Sequence, residues 1–168
     1  MNKTVRVALV ALLCVGAAAC SKKQEVKPAP APEQTPVTTA PVASNKYGPS
    51  DLDTDACLRQ RVVYFDFDKE EIKPEFQQIM ACHAKYLQDR PMAQIRLEGN
   101  ADERGTREYN LGLGERRGNA VSSALQSNGG SASQINVISY GKEKPVCREH
   151  NEDCWSKNRR VEIVYTAK

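Results

Sequence analysis

From about residue 51 onward the sequence predicts an α/β (α+β) two-layer sandwich. The expected order is βαβαβ, a loop, then a last β, with the helices on one face of the sheet. Three observations lead there. Four short segments read as strands, two longer ones carry apolar stripes at helical spacing, and Pro91 and the Gly129–Gly130 pair fall where those helices should stop.

The first strand is "RVVYFDF", whose alternation puts Val63, Phe65 and Phe67 on one face. "KPEFQQIMACHAKYLQDRP" reads as a helix. Pro74 suits its first position, and Phe76, Ile79, His83, Tyr86 and Leu87 share a stripe. "AQIRLEG" gives a second strand with Ile95 and Leu97 inward. A helix from about Arg107 to Ser127 follows, striped by Leu111, Gly114, Gly118, Val121 and Leu125. "SQINVISYG" and "NRRVEIVYT" supply the last two strands. Glycine costs a helix interior about 1 kcal/mol relative to alanine. Gly114 and Gly118 lie on the stripe that must meet the sheet, where a missing side chain permits close approach. Gly112 lies off it and has no packing reason.

Ahead of this domain lie two segments of another kind. Residues 1–19 read as an export signal: basic Lys3 and Arg6, then an apolar run from Val7 to Val15 too short to span a bilayer, then small residues. The end, "GAAAC", fits ordinary cleavage or a lipobox that makes Cys20 a lipidated first residue. Lipidation is the favoured reading, since it gives a lone cysteine in an exported chain a purpose. Residues 20–50 hold six of the nine prolines and little apolar bulk, so they are expected to form a disordered tether. Thirty residues in polyproline form reach on the order of 90 Å. The domain proper is expected over 51–168.

Charge excludes one class of partner. The chain has 24 basic and 21 acidic residues, and losing Lys3 and Arg6 with the signal leaves 22 against 21. Without a broad basic field, nucleic acid is not expected to bind. Cys57, Cys82, Cys147 and Cys154 are an even number in an exported domain and read as two disulfides, with three possible pairings. Cys147 with Cys154 is the most local pairing and leaves Cys57 with Cys82. A metal site using His83 and His150 is the rival, but no cysteine pair has a metal-binding spacing. No metal or cofactor is expected.

The chemistry gathers between Gly99 and Arg117. A turn opening a helix offers N–H donors and partial positive charge. Asp102 in that turn can accept an ammonium. Arg117 lies seven residues after Asn110, two helical turns on, with Leu113 between them on the same face. Its guanidinium can grip a carboxylate with two bonds. Together they suit a zwitterionic amino-acid head group. On spacing alone, though, the stronger reading is a solvated salt-bridge cluster worth about 0–1 kcal/mol per pair.

"VYFDFDKEEI", "EGNADERGTREYNLGLGERRGNAV", "ISYGKEKP" and "SKNRRVEIVY" resemble the OmpA-like peptidoglycan-binding domain in the version carried by lipoproteins. The resemblance runs in order from about Val62 to Tyr165. It implies that the domain holds the cell-wall peptide stem non-covalently through meso-diaminopimelate. Asp102 and Arg117 would then take the ammonium and carboxylate of its free D-centre. Phe67 and Asp68 match residues lining that pocket. Gly99, Asn100, Ala101, Glu103, Arg104, Thr106 and Leu113 match the rest of the turn and the helix wall. Many relatives have His at the position of Asn100, Arg107 replaces a usual Pro, and the cysteines around "REHNED" are a further departure. The resemblance also implies a lipid anchor in the outer membrane, a periplasmic domain, and a role in the Tol system of cell division. Its propeller protein TolB would compete with the wall for an overlapping surface.

Two other readings compete with this one. Asp66, Asp68, Asp102 and Glu103 include the carboxylate pairs that glycoside hydrolysis requires. Against an enzyme stand the small domain, which offers no long groove, and the lack of a Ser/His/Asp set. The alternative is a tethered structural lipoprotein whose charge cluster is inert.

Overall fold

The computed structural model describes residues 46–168. The signal, Cys20 and nearly all of the tether lie outside the described residues. The elements, in chain order, are α1 (Asp51–Thr54), β1 (Val62–Tyr64), α2 (Gln77–Asp89), β2 (Gln94–Asn100), α3 (Arg107–Ser127), β3 (Ile135–Gly141), α4 (Glu152–Asn158) and β4 (Arg160–Ala167). The sandwich and its order stand as expected. Pro74 opens a single 3₁₀ turn, Pro74–Phe76, that runs into α2. The short helices α1 and α4 are additions. The second sits inside the expected loop, where the Asn151 side chain caps it by accepting the Cys154 N–H.

The sheet is ordered β1-β4-β2-β3. β2 and β3 are parallel and the other pairs antiparallel, so α3 serves as the crossover between the parallel neighbours. Period-two alternation then sorts the side chains. Val63, Ile95, Leu97, Val161 and Ile163 are buried with Ile79 and Leu87 of α2 and Val121 and Leu125 of α3. The opposite parity carries the ion pairs Arg96–Glu98 and Arg160–Glu162.

One inward residue is corrected. Phe67 is 56% exposed. β1 stops at Tyr64, opposite the first residue of β4, so alternation ends before it reaches Phe67. The helix stripe of α3 holds: Gly114 backs onto Gly99, and Gly118 sits over Val137. Around Gly112 nothing but the end of the Arg116 side chain lies close, and the packing gives no reason for a glycine there.

All four cysteines are paired, Cys57 with Cys82 and Cys147 with Cys154. That removes them from any metal site, and His83 has other duties. Its ring is buried, with Nδ1 2.7 Å from the Tyr165 hydroxyl and Nε2 3.0 Å from the Gln60 carbonyl. A carbonyl only accepts, so Nε2–H donates to Gln60 and Nδ1 accepts from Tyr165.

Burial pushes the His83 pKa down from 6.5 to about 4. Between those values the unfolded chain binds a proton that the folded chain refuses, so stability must fall as pH falls. The contribution is complete above about pH 6.5 and gone by about pH 4, at most about 3 kcal/mol. Urea unfolding at pH 7 and pH 4.5 checks this. The wild type should lose more stability between the two than His83→Gln does, and equal losses would show that His83 is not the group responsible.

Candidate functional site

Where β2 ends, the turn into α3 and the segment after β1 enclose a cleft of about 160 Å³. It is lined by Phe67, Asp68, Asp102, Arg104, Gly105, Tyr109, Asn110, Leu113 and Arg117. The volume far exceeds what one ordered water needs and is smaller than most drug-sized pockets, so it suits a single head group.

The turn is shaped by its own polar side chains. Thr106 caps α3 by accepting the Tyr109 N–H at 3.2 Å, while Asn110 Nδ2 donates to the Arg104 carbonyl at 2.8 Å. From the far side, Lys142 Nζ donates to the Glu103 and Gly105 carbonyls at 3.1 and 2.7 Å. Asp68, across the cleft, has φ +56, a conformation that Asp tolerates better than most residues, and accepts from the Tyr109 hydroxyl.

Asp102 is 4% exposed and its carboxylate is fully occupied. Oδ1 accepts from Arg104 N and Nε at 3.1 and 3.2 Å; Oδ2 accepts from Arg104 Nη2 at 2.6 Å and Arg159 Nη1 at 3.2 Å. Burial raises the pKa of this carboxyl, but the hydrogen bonds from the two arginines outweigh it and hold it below its ordinary value. Arg159 is itself fixed by the Phe65 carbonyl and by Glu152. The Arg104 guanidinium lies between two rings, 3.9 Å from the Phe67 centroid and 4.2 Å from that of Trp155.

Arg117 is the largest fully buried side chain, at 0% exposure. It donates to three carbonyls: Lys69 at 2.8 Å, Asn100 at 2.9 Å and Asp66 at 3.0 Å. Among the described residues no carboxylate forms an ion pair with it, and burial pushes its pKa down to about 10. It is therefore still a cation at neutral pH, at the wall of a cleft and without an anion. Buried charges are normally paired.

A model of the OmpA family matches residues 64–159. The chain belongs to the OmpA family. Relatives named peptidoglycan-associated lipoprotein include one from Haemophilus influenzae, 41% identical over 98% of this chain and 100% of its own. Another, from Pseudomonas aeruginosa, is 46% identical over 67% of each. The crystal structure of the peptidoglycan-associated lipoprotein from Burkholderia pseudomallei shares 44% identity with a TM-score of 0.67, covering 68% of this chain and 98% of that one. The C-terminal domain of Helicobacter pylori MotB, 22% identical with a TM-score of 0.59, shares the fold. This family match weighs against the hydrolase, and the chain is not an enzyme.

Within this OmpA-family domain the expected residues divide into groups. Phe67, Asp68, Asp102, Arg104, Asn110, Leu113 and Arg117 line the cleft, the last three from one face of α3 as their spacing required. Gly99 instead packs against α3, and Thr106 is a helix cap. Asn100 contributes its carbonyl to Arg117, while its side chain donates to the Glu98 carbonyl. Ala101 and Glu103 face a separate hollow behind the turn. There Glu103 takes hydrogen bonds from His150 and Trp155, which lower its pKa. Sequence reasoning missed Tyr109, Arg159 and Trp155. The aromatic residue just after the helix cap was visible, whereas Arg159 and Trp155 reach the site only through the fold.

Proposed function

We propose that this chain is an outer-membrane lipoprotein that holds peptidoglycan non-covalently through the meso-diaminopimelate of the stem peptide. Residues 1–19 are the signal, Cys20 the lipidated first residue, 20–50 the tether and 51–168 the periplasmic binding domain. The observation that carries this reading is Arg117, a buried cation with no carboxylate partner among the described residues, in the same cleft as a carboxylate. Five N–H groups less three bonds to carbonyls leave the guanidinium two, enough for one carboxylate. The ammonium of the same amino-acid centre goes to Asp102. Tethering the outer membrane to the wall in this way is the work of the Tol–Pal system in cell division, in which TolB would compete for an overlapping surface. The relatives' printed names support wall association.

Retention on purified peptidoglycan tests the pocket. Wild type should be retained, while Asp102→Ala and Arg117→Ala, assayed well below their melting temperatures, should each lose at least tenfold in affinity. Breaking one side of a buried charge contact costs several kcal/mol. Equal retention of all three would point to the inert structural lipoprotein instead.

A further inference from the structure

We infer that Arg104 is a resident cation occupying the ammonium seat of the cleft, which an incoming ligand must displace before it can bind. The inference rests on the diaminopimelate reading above and deepens it.

The argument begins with lone pairs. A carboxylate offers about four acceptor positions, and on Asp102 all four are filled. A ligand ammonium cannot simply be added. Arg159 is held in place, because its side chain is 6% exposed and is anchored to the Phe65 carbonyl and Glu152 as well as to Asp102. The Arg104 backbone N–H is fixed by the turn. What remains are the two bonds from the Arg104 side chain, which is 31% exposed and, among the described residues, makes no hydrogen bond except to Asp102.

Solvent access points the same way. Asp102 is 4% exposed and Arg117 0%, so both groups meant to receive the ligand are closed to solvent. Arg104 lines the cleft and is ion-paired to Asp102 at 2.6 Å. It also has somewhere to go. Glu152 Oε2 lies 3.7 Å from Arg104 Nη2, on a side chain that is 61% exposed. A small rotation out of the slot between Phe67 and Trp155 exchanges one carboxylate for another. The cleft thus selects for a ligand bearing a cation strong enough to replace a guanidinium, and a carboxylate alone leaves Arg104 in place and the seat closed.

The chain's one tryptophan, Trp155, stacks on Arg104 and reports its departure. The experiment titrates wild type, Arg104→Gln and Arg117→Gln with a soluble stem peptide carrying meso-diaminopimelate. Calorimetry measures affinity and Trp155 emission measures displacement. In wild type, binding should move the emission towards that of ligand-free Arg104→Gln. Arg104→Gln should bind about two- to fivefold more tightly, because no guanidinium has to leave the seat first, with no change in emission. Weaker binding by Arg104→Gln would make Arg104 a ligand contact and overturn the inference, as would wild-type binding with unchanged emission. Absence of binding by wild type, or undiminished binding by Arg117→Gln, would instead overturn the diaminopimelate reading on which it stands.

Discussion

Arg117→Ala should lower the unfolding free energy by about 2–4 kcal/mol as well as abolish wall retention. The substitution strips the partner from three carbonyls, those of Asp66, Lys69 and Asn100, which belong to two separate segments of chain. Each buried acceptor left unsatisfied costs about 1–3 kcal/mol. One effect works in the other direction. A pKa pushed by burial down to about 10 means that burying the cation already costs about 3 kcal/mol, which its removal returns. The carbonyls and the cavity left behind outweigh that gain. One side chain therefore pins the segment after β1 to the end of β2. Urea unfolding measures the effect, and a midpoint within about 0.5 kcal/mol of wild type would mean that water takes over the three carbonyls without loss. Glutamine, with two donors, should fall between the two.

The fold was legible where a periodic signal met a stop. α3 begins and ends at the residues its stripe and the following glycines indicate, and β2 and β3 agree closely with their alternation. Legibility failed where tertiary pairing overrides a local pattern. Nothing within "RVVYFDF" says that pairing with β4 stops at Tyr64, yet that stop turns Phe67 from a core residue into the wall of the cleft. The site divides the same way. Asn110, Leu113 and Arg117 share a helix face, so spacing alone places them together. Asp102 is different. Its two partners lie two and fifty-seven residues away, and the distant one, Arg159, arrives through strand pairing that no spacing encodes. The inert reading of the charge cluster rested on exposure, since exposed pairs are worth little. Burial of Asp102 and Arg117 removes that premise, and burial is a property of the assembled layers.

The glycines supply the sharpest contrast within a single helix packing. Gly99→Ala should be among the most damaging single-methyl changes in the domain. A Cβ there would lie 1.9 Å from the Gly114 carbonyl oxygen and 2.6 Å from its carbon, both backbone atoms. Neither side can give way cheaply, since β2 is paired on both edges and α3 is a helix of 21 residues. The helix must lift from the sheet, and with it go contacts of Val121 and Leu125. Overpacking costs about 1–3 kcal/mol where side chains can adjust, and a clash between two backbones belongs at or above the top of that range. Gly112→Ala should have the opposite sign. It adds a methyl group near nothing but the tip of Arg116, at 3.5 Å, and should stabilise by about 0.5–1 kcal/mol through helix propensity. Paired urea titrations decide the matter: a neutral Gly99→Ala would mean that the two layers are not held at this separation. The displacement also has a functional readout. Asp102 follows Gly99 by three residues and Arg117 follows Gly114 by three, so lifting the helix at this contact separates the two charges of the cleft. Gly99→Ala should therefore lose ligand affinity even under conditions where it remains folded, whereas Gly112→Ala should keep it.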